Sequence, residues 1–140
     1  MPYHRKGYSV LTIKDLSITR GQGEQSFTVS LPHLSLAEGE VVSLCGSSGC
    51  GKSTLLEMMG LILKPDNLSQ YELSSATLSM DLAPLILSDK QKTLAEIRSK
   101  NLGFMLQNGG LLPFLSVWQN ILLPCQTNGI LADESWLHHL

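Results

Sequence analysis

Residues 46–53 read Gly-Ser-Ser-Gly-Cys-Gly-Lys-Ser, which fits the pattern G-x-x-x-x-G-K-[ST] at every position. On average residue usage, this pattern arises by chance at roughly 3 in 100,000 positions. Residues 41–45 before it are apolar and rich in β-formers, and residues 53–63 after it have the composition of a helix. This order of strand, glycine-rich loop and helix predicts an α/β fold with the loop at the start of the helix.

Each residue type in this loop has a chemical reason to hold a polyphosphate. Glycines carry no side chain, so consecutive backbone N–H groups can point inward around an anion. The loop also opens a helix, whose free N–H groups and dipole favour negative charge. Lys52 would supply a positive charge to the β- and γ-phosphates, and Ser53 a hydroxyl for Mg²⁺. We therefore predict nucleotide binding here, and we disfavour the alternative of a glycine-rich turn that contains Lys-Ser by chance.

Composition narrows the class of protein further. The 140-residue chain is 43% apolar and only 16% charged, which excludes a disordered chain, and its net charge of −2 gives no basic footprint for nucleic acid. Residues 55–63 form the longest dense apolar stretch, but it contains Glu57 and falls short of the roughly 20 residues needed to cross a bilayer. The three cysteines include no CxxC pair, which favours a reducing cytoplasm.

The N-terminal part of the chain is predicted to be mostly β. Residues 8–19 and 26–31 read as two strands of a hairpin around a turn at residues 21–23, and Pro32 is expected to end the pairing of the second strand. Residues 38–40 form another turn. Residues 41–45 are expected to be a strand buried on both faces, with Cys45 as a small core residue.

The rest of the chain is predicted to be mainly helical. The helix over residues 53–63 is apolar on nearly all faces, so we expect it to be buried and to end before Pro65. Residues 76–87 read as short strands and residues 102–106 as a strand that ends at Gln107. Three polar residues are expected to start helices. These are Ser88 with Gln91, for a helix to about Lys100; Ser116 with Gln119, for a short helix stopped by Pro124; and Asp133, for a last helix.

The loop and its flanks resemble the ATP-binding subunit of ABC transporters. Residues 46–54 are similar to that family's Walker A segment, including the extra glycine at Gly49 and the threonine at Thr54. Residues 34–40 resemble the turn before it, and residues 102–107 resemble the strand that ends in the Q-loop glutamine. Residues 111–124 are similar to the lipoprotein-release and macrolide-export branch, in which an NxxLP-like stretch follows the Q-loop.

The resemblance implies a partial ABC-type ATP-binding domain of the P-loop NTPase class. Residues 8–107 would form the nucleotide-binding core and residues 108–140 the start of the helical subdomain. The implied partners are a transmembrane permease subunit and a second ATP-binding subunit, identical or different, at the inner face of the cell membrane. Phe114, Leu112 and Trp118 would lie near the groove where the permease docks.

The resemblance also assigns roles within the site. Lys52 and Gln107 would be catalytic, and Ser53 and Gln107 would contact Mg²⁺, with Gln107 sensing the attacking water and the γ-phosphate. ATP would be held by nine consecutive residues: Gly46, Ser47, Ser48, Gly49, Cys50, Gly51, Lys52, Ser53 and Thr54.

The sequence departs from the family pattern in three ways. It contains no LSGGQ-type signature, no Walker B strand and no switch histidine, so we expect a truncated chain without ATPase activity of its own. The aromatic residue that stacks on adenine is missing near Thr19, with Phe27 or Tyr8 as substitutes. Cys50 lies at a helix N-terminus, a setting that raises the reactivity of a thiol, so its oxidation or alkylation is expected to block nucleotide binding.

Two alternatives to an ATPase subunit remain open from the sequence. One is a non-catalytic nucleotide-binding or partner-docking module. The other is a different P-loop enzyme, such as a small kinase, which would explain neither Gln107 nor the run that ends at Pro124.

Overall fold

The computed structural model describes residues 9–75, 78–107 and 109–132. The chain divides between Asn101 and Leu102 into two units, which are described separately. Within these described residues, the first unit contains four strands and three α-helices, and the second contains one α-helix. In chain order they are β1 (Ser9–Arg20), a 3₁₀ turn (Gly23–Gln25), β2 (Phe27–Ala37), α1 (Lys52–Met59), β3 (Gln70–Ser74), β4 (Ser79–Asp81), α2 (Ala83–Leu87), α3 (Gln91–Asn101) and α4 (Val117–Thr127).

The first unit is built on one antiparallel sheet with the strand order β2-β1-β3-β4. β1 and β2 pair as neighbours along the chain, so the predicted hairpin is confirmed. Asp15 has a φ of 53°, and the buried positions of β1 shift by one residue around it. The side chains of β1 that form the core are Leu11, Ile13, Leu16 and Ile18.

The prediction that Pro32 ends the pairing of β2 is wrong. Pairing continues on both sides of it, with Leu16 opposite Leu31 and Lys14 opposite His33. Because β2 is an edge strand of the sheet, the nitrogen of Pro32 can face away from β1. This nitrogen carries no hydrogen, and no ladder bond is lost where it faces away from the paired strand. The strand therefore extends to Ala37.

Residues 41–45 do not form the predicted buried strand. Val41 is 93% exposed, Val42 and Leu44 are also exposed, and the thiol of Cys45 is at the surface rather than in the core. A strand buried on both faces needs ladder neighbours and covering layers. Among the described residues, the ladder consists of β1 to β4, and it does not include this segment. The turn before it is confirmed, since the N–H of Glu40 donates to Ala37 O at 3.2 Å.

Helix α1 is shorter and less buried than the sequence predicts. It ends at Met59 because Leu61 takes a left-handed conformation with a φ of 58°. Leu55 and Met58 are buried, whereas Leu56 and Ile62 are exposed, so the expectation of burial on nearly all faces is wrong.

The region after β3 contains one short strand and two helices. Within residues 76–87, of which 76–77 lie outside the described residues, only β4 is a strand, and the strand prediction over α2 is wrong. Pro84 lies in the first turn of α2. The backbone N–H that proline lacks would have no partner within the helix at this position. Ser88 does not cap α3, because its hydroxyl donates to Pro84 O at 2.7 Å and so closes α2 instead. The predicted helix to about Lys100 is confirmed as α3.

The second unit confirms one predicted cap. Ser116 and Gln119 form the capping box of α4, with Gln119 N 3.2 Å from Ser116 Oγ and Ser116 N 2.8 Å from Gln119 Oε1. Pro124 does not stop this helix. None of the described residues of α4 is buried, so water can reach the carbonyl that loses its partner at the proline.

Two further predictions concern the ends of the second unit. Residues 102–106 do not form the predicted strand, and Phe104, Met105 and Leu106 are exposed. Asp133, predicted to cap a last helix, lies outside the described residues.

Over the ranges that the structure describes, no helix has the length and apolar character needed to cross a membrane.

Candidate nucleotide-binding site

Two glycines shape the phosphate loop, which we define as residues 46–51. Gly49 has a φ of 80°, and Gly51, the N-cap of α1, has a φ of 95°. An L-residue in such left-handed conformations loses roughly 1–2 kcal/mol. A Cβ on Gly51 would also lie 2.4 Å from Cγ2 of Val29 in β2. Glycine is therefore required here, and it allows the start of α1 to pack directly on the sheet.

The ammonium group of Lys52 is folded back over the loop. Its Nζ donates to Gly46 O at 2.9 Å and to Ser47 O at 2.7 Å, and it lies 3.6 Å from the sulfur of Cys50. An ammonium has three donors, and a thiol is a weak acceptor. A phosphate oxygen can thus replace the sulfur contact at little cost, while both carbonyl bonds keep the charge in place.

The first turn of α1 completes an anion-binding arrangement. The earliest helical bond runs from Leu55 N to Gly51 O at 2.9 Å, so helix geometry leaves the N–H groups of residues 52–54 without a partner inside the helix. The side chain of Ser53 is exposed in this turn, and that of Thr54 is half-buried. Both hydroxyls therefore lie at the positive end of the helix dipole.

The residues present fit a magnesium–nucleotide. Residues 46–54 contain one lysine and no carboxylate, so the segment carries a single positive charge among free N–H and O–H groups. The loop side chains of Ser47, Ser48 and Cys50 are exposed, so an anion can enter from solvent without opening the core. This donor set suits phosphate oxygens, and the hydroxyl of Ser53 suits Mg²⁺.

Gln107 belongs to the second unit. It is exposed in a turn that is closed by a bond from Gly109 N to Leu106 O at 3.0 Å. The nine predicted site residues 46–54 thus lie together in one continuous segment of the first unit, whereas Gln107 lies in the second unit.

Asn120 organises the second unit, and sequence reasoning missed it. Its side-chain amide donates to Leu112 O at 3.1 Å, Leu115 O at 3.2 Å and Ser116 O at 3.0 Å, and its oxygen accepts from Leu112 N at 2.8 Å. These bonds fix the loop that leads into α4, in which Phe114 is 77% exposed. The available signal was the position of Asn120 at the start of the NxxLP-like stretch.

Comparison with known protein families decides the classification. The sequence profile described as "ABC transporter" matches residues 30–140. The chain belongs to the ABC transporter family. The family and the α/β fold class predicted from the phosphate loop are therefore confirmed, although the strand predicted before the loop is not formed.

Curated relatives of this ABC transporter chain include proteins of the predicted branch. It is 34% identical over 102 residues to the lipoprotein-releasing system ATP-binding protein LolD of Bacteroides thetaiotaomicron, covering 73% of the chain and 43% of the relative. It is 34% identical over 127 residues to the uncharacterized ABC transporter ATP-binding protein YvrO of Bacillus subtilis, covering 89% and 51%. The chain thus spans about half the length of these relatives, and the resemblance to the lipoprotein-release branch is confirmed.

A solved structure of the same family has a similar fold. It is the ATP-binding cassette MJ0796, described as a dimer in a post-hydrolysis state bound to ADP and phosphate. The ABC transporter chain matches it with a TM-score of 0.67 and 28% identity, over 89% of the chain and 51% of that structure.

Proposed function

We propose that this ABC transporter chain binds Mg-ATP through residues 46–54 and acts as an ATP-binding subunit that drives transport by a membrane partner. The observation that carries the proposal is the position of Lys52, whose ammonium lies over a glycine-shaped loop at the start of α1. The family supports the same nucleotide, and we place the subunit at the cytoplasmic face of the membrane.

Each residue of the proposed site has a role in nucleotide binding that follows from its chemistry. The free N–H groups of the first turn of α1 hold phosphate oxygens, and Lys52 neutralises the β- and γ-phosphates. Ser53 provides a hydroxyl ligand for Mg²⁺, which would supply charge neutralisation across the phosphates. Gln107 would orient the attacking water and respond to the γ-phosphate. This role rests on the family resemblance, with its exposed position in the second unit leaving the amide accessible.

Binding should depend on the polyphosphate rather than on the nucleoside. In equilibrium dialysis of labelled Mg-ATP against the 140-residue chain, we expect unlabelled tripolyphosphate with Mg²⁺ to compete, and adenosine to compete far less. Competition by adenosine alone would show that the loop is not the site. Lys64→Ala is a suitable control, because it removes an exposed lysine that follows α1 and leaves Lys52 in place.

The membrane partner is proposed from the surface of the second unit. Several large apolar side chains there are exposed, and they cluster in sequence around the start of α4: Leu111, Phe114, Val117, Trp118 and Ile121. An exposed apolar patch of this kind marks an interaction site. A photo-crosslinker at position 114 should capture an integral membrane protein in native membranes, whereas the same group at exposed Lys100 should not. Capture of soluble proteins alone would contradict a permease partner.

A second candidate is a non-catalytic module that binds nucleotide or docks on a transporter. It is favoured by the same exposed apolar side chains, since docking needs no hydrolysis. ATP hydrolysis by the chain and by Lys52→Ala, compared at equal concentration, separates the two. A rate that falls with Lys52→Ala would support the ATPase subunit, whereas equal rates would show that the chain has no hydrolysis of its own, as the non-catalytic module requires.

A further inference from the structure

Helix α1, which carries the phosphate site at its start, is too short to be stable by itself. It has eight residues, little more than two turns, and isolated helices of this length are marginal in water. Lys52 and Ser53 in its first turn are therefore separated by no more than about two turns from its C-terminal end. Any interaction that holds the last turn also helps to keep the first turn helical.

The last four carbonyl groups of α1 all have partners. Three of them accept bonds from main-chain N–H groups that follow the helix: Leu56 O from Gly60 N at 2.7 Å, Glu57 O from Ile62 N at 2.9 Å and Met58 O from Leu61 N at 3.2 Å. This is the Schellman arrangement of a helix end. The fourth carbonyl, Met59 O, accepts a hydrogen bond from the hydroxyl of Tyr71.

Tyr71 makes this bond from within the core. It lies in β3 with a fully buried side chain. Burial raises the pKa of the Tyr71 hydroxyl, so the group stays protonated and remains a donor. Its ring is fixed by the sheet, and the hydroxyl thus ties the end of α1 to β3.

Arg98 binds the residue that terminates the helix. Its Nη1 donates to Leu61 O at 2.6 Å, from a position on α3 that is 37 residues further along the chain. Leu61 holds a φ of 58°, a conformation that is costly for a residue other than glycine, and its side chain is buried. The guanidinium also places a positive charge at the negative end of the α1 dipole.

We propose that Tyr71 and Arg98 are positioning residues that clamp the C-terminal end of α1, keep its first turn helical and thereby set the affinity of the phosphate loop for Mg-ATP. The effect on affinity rests on the proposed function, whereas the effect on the helix can be measured without nucleotide. Arg98 also makes the site sensitive to the position of α3, since a shift of that helix would pull on Leu61 O.

Hydrogen exchange of the free chain tests the clamp directly. The reporter is the amide of Leu55, which forms the first helical bond of α1. In Tyr71→Phe and Arg98→Met we expect its exchange to become about 5- to 10-fold faster, the equivalent of one lost hydrogen bond. Two controls should leave it within about twofold. Lys100→Met removes a charge from the same turn of α3, and Leu11→Ala weakens the core through a residue paired with Leu36 and Leu73.

The Mg-ATP dissociation constant of the same variants tests the functional consequence. Measured where every variant is fully folded, it should rise about 5- to 10-fold in Tyr71→Phe and Arg98→Met and stay unchanged in the controls. Arg98→Lys, which restores a charged donor, should recover much of the loss. Because Leu11→Ala costs stability without touching the clamp, a loss of affinity in that variant as well would show a general effect of lower stability rather than the clamp.

The outcomes separate the clamp from the proposed function. If the wild-type chain binds Mg-ATP and the clamp variants match it in both measurements, the clamp is refuted. If exchange at Leu55 accelerates as expected but the wild-type chain binds no Mg-ATP, the clamp on α1 stands, whereas its link to affinity and the proposed function are both refuted.

Discussion

The sheet and the phosphate loop differ in what holds their backbones. In the sheet, β1 has ladder bonds to β2 on one side and β3 on the other, and its core side chains are buried. All residues from 38 to 50 are exposed, and two carbonyls of the phosphate loop are held by the side chain of Lys52. Stability therefore resides in the sheet, whereas the shape of the loop depends on glycines and on one cation that a ligand would engage.

The largest expected effect belongs to the sheet. Leu16 is fully buried in β1, so Leu16→Ala should lower the free energy of unfolding by about 2–5 kcal/mol, through lost burial and the cavity left behind. Chemical denaturation measures this loss. The Mg-ATP dissociation constant of the folded fraction should stay the same, and a parallel loss of affinity would show that the two regions are not separable.

Gly51 joins the two regions, and its substitution should affect both. Gly51→Ala adds left-handed strain of about 1–2 kcal/mol and an overlap with Val29. We expect a lower melting temperature together with weaker nucleotide binding. The double variant Gly51→Ala with Val29→Ala removes the overlap but keeps the strain, so it should recover part of the affinity. A thermodynamic cycle that shows no coupling between positions 51 and 29 would argue against this contact.

Cys50 reports on the loop without any loss of stability. Its thiol is exposed beside Lys52, so a maleimide should label it, and saturating Mg-ATP should slow that labelling by about 10-fold through occlusion. Cys45 is exposed outside the loop and provides an internal control, because its labelling rate should not change. Equal protection of both thiols, or of neither, would contradict binding at the loop.

The smallest effect is expected at Val41. Its side chain is 93% exposed, so Val41→Thr should change the free energy of unfolding by less than about 0.5 kcal/mol. Thermal melting of Val41→Thr and of Leu16→Ala, measured side by side, compares the stability lost at an exposed position with that lost at a buried one. A loss of more than about 1 kcal/mol would indicate that residues 41–45 are packed as the sequence predicts.

The sequence predicts the hairpin and the phosphate site because their signals are local. Alternating apolar residues and a glycine turn predict β1 and β2. In the loop pattern, each residue type indicates its own role in phosphate binding. The Ser116 capping box is local in the same sense, since both of its bonds lie within four residues. Each of these features is indicated by residues that lie close together in the sequence.

The incorrect predictions involve features that depend on neighbours. Residues 41–45 and 102–106 have apolar sequences typical of strands, but a strand also needs a partner with free ladder groups. Pro32 was expected to end a strand because its sequence does not reveal that β2 is at an edge. The bond from Arg98 to Leu61 O spans 37 residues, and no pattern in the sequence connects the two.

Titration calorimetry of the 140-residue chain with Mg-ATP tests the central claim most directly, with Lys52→Ala as its partner variant. In the proposed complex Lys52 would contribute a charged hydrogen bond to phosphate, and such bonds are worth about 1.5–3 kcal/mol, so its loss should raise the dissociation constant by at least about 10-fold and up to about 100-fold. We predict saturable binding heat for the wild-type chain and a much weaker isotherm for Lys52→Ala. Absence of heat from the folded wild-type chain, or identical isotherms for the two proteins, would contradict the account.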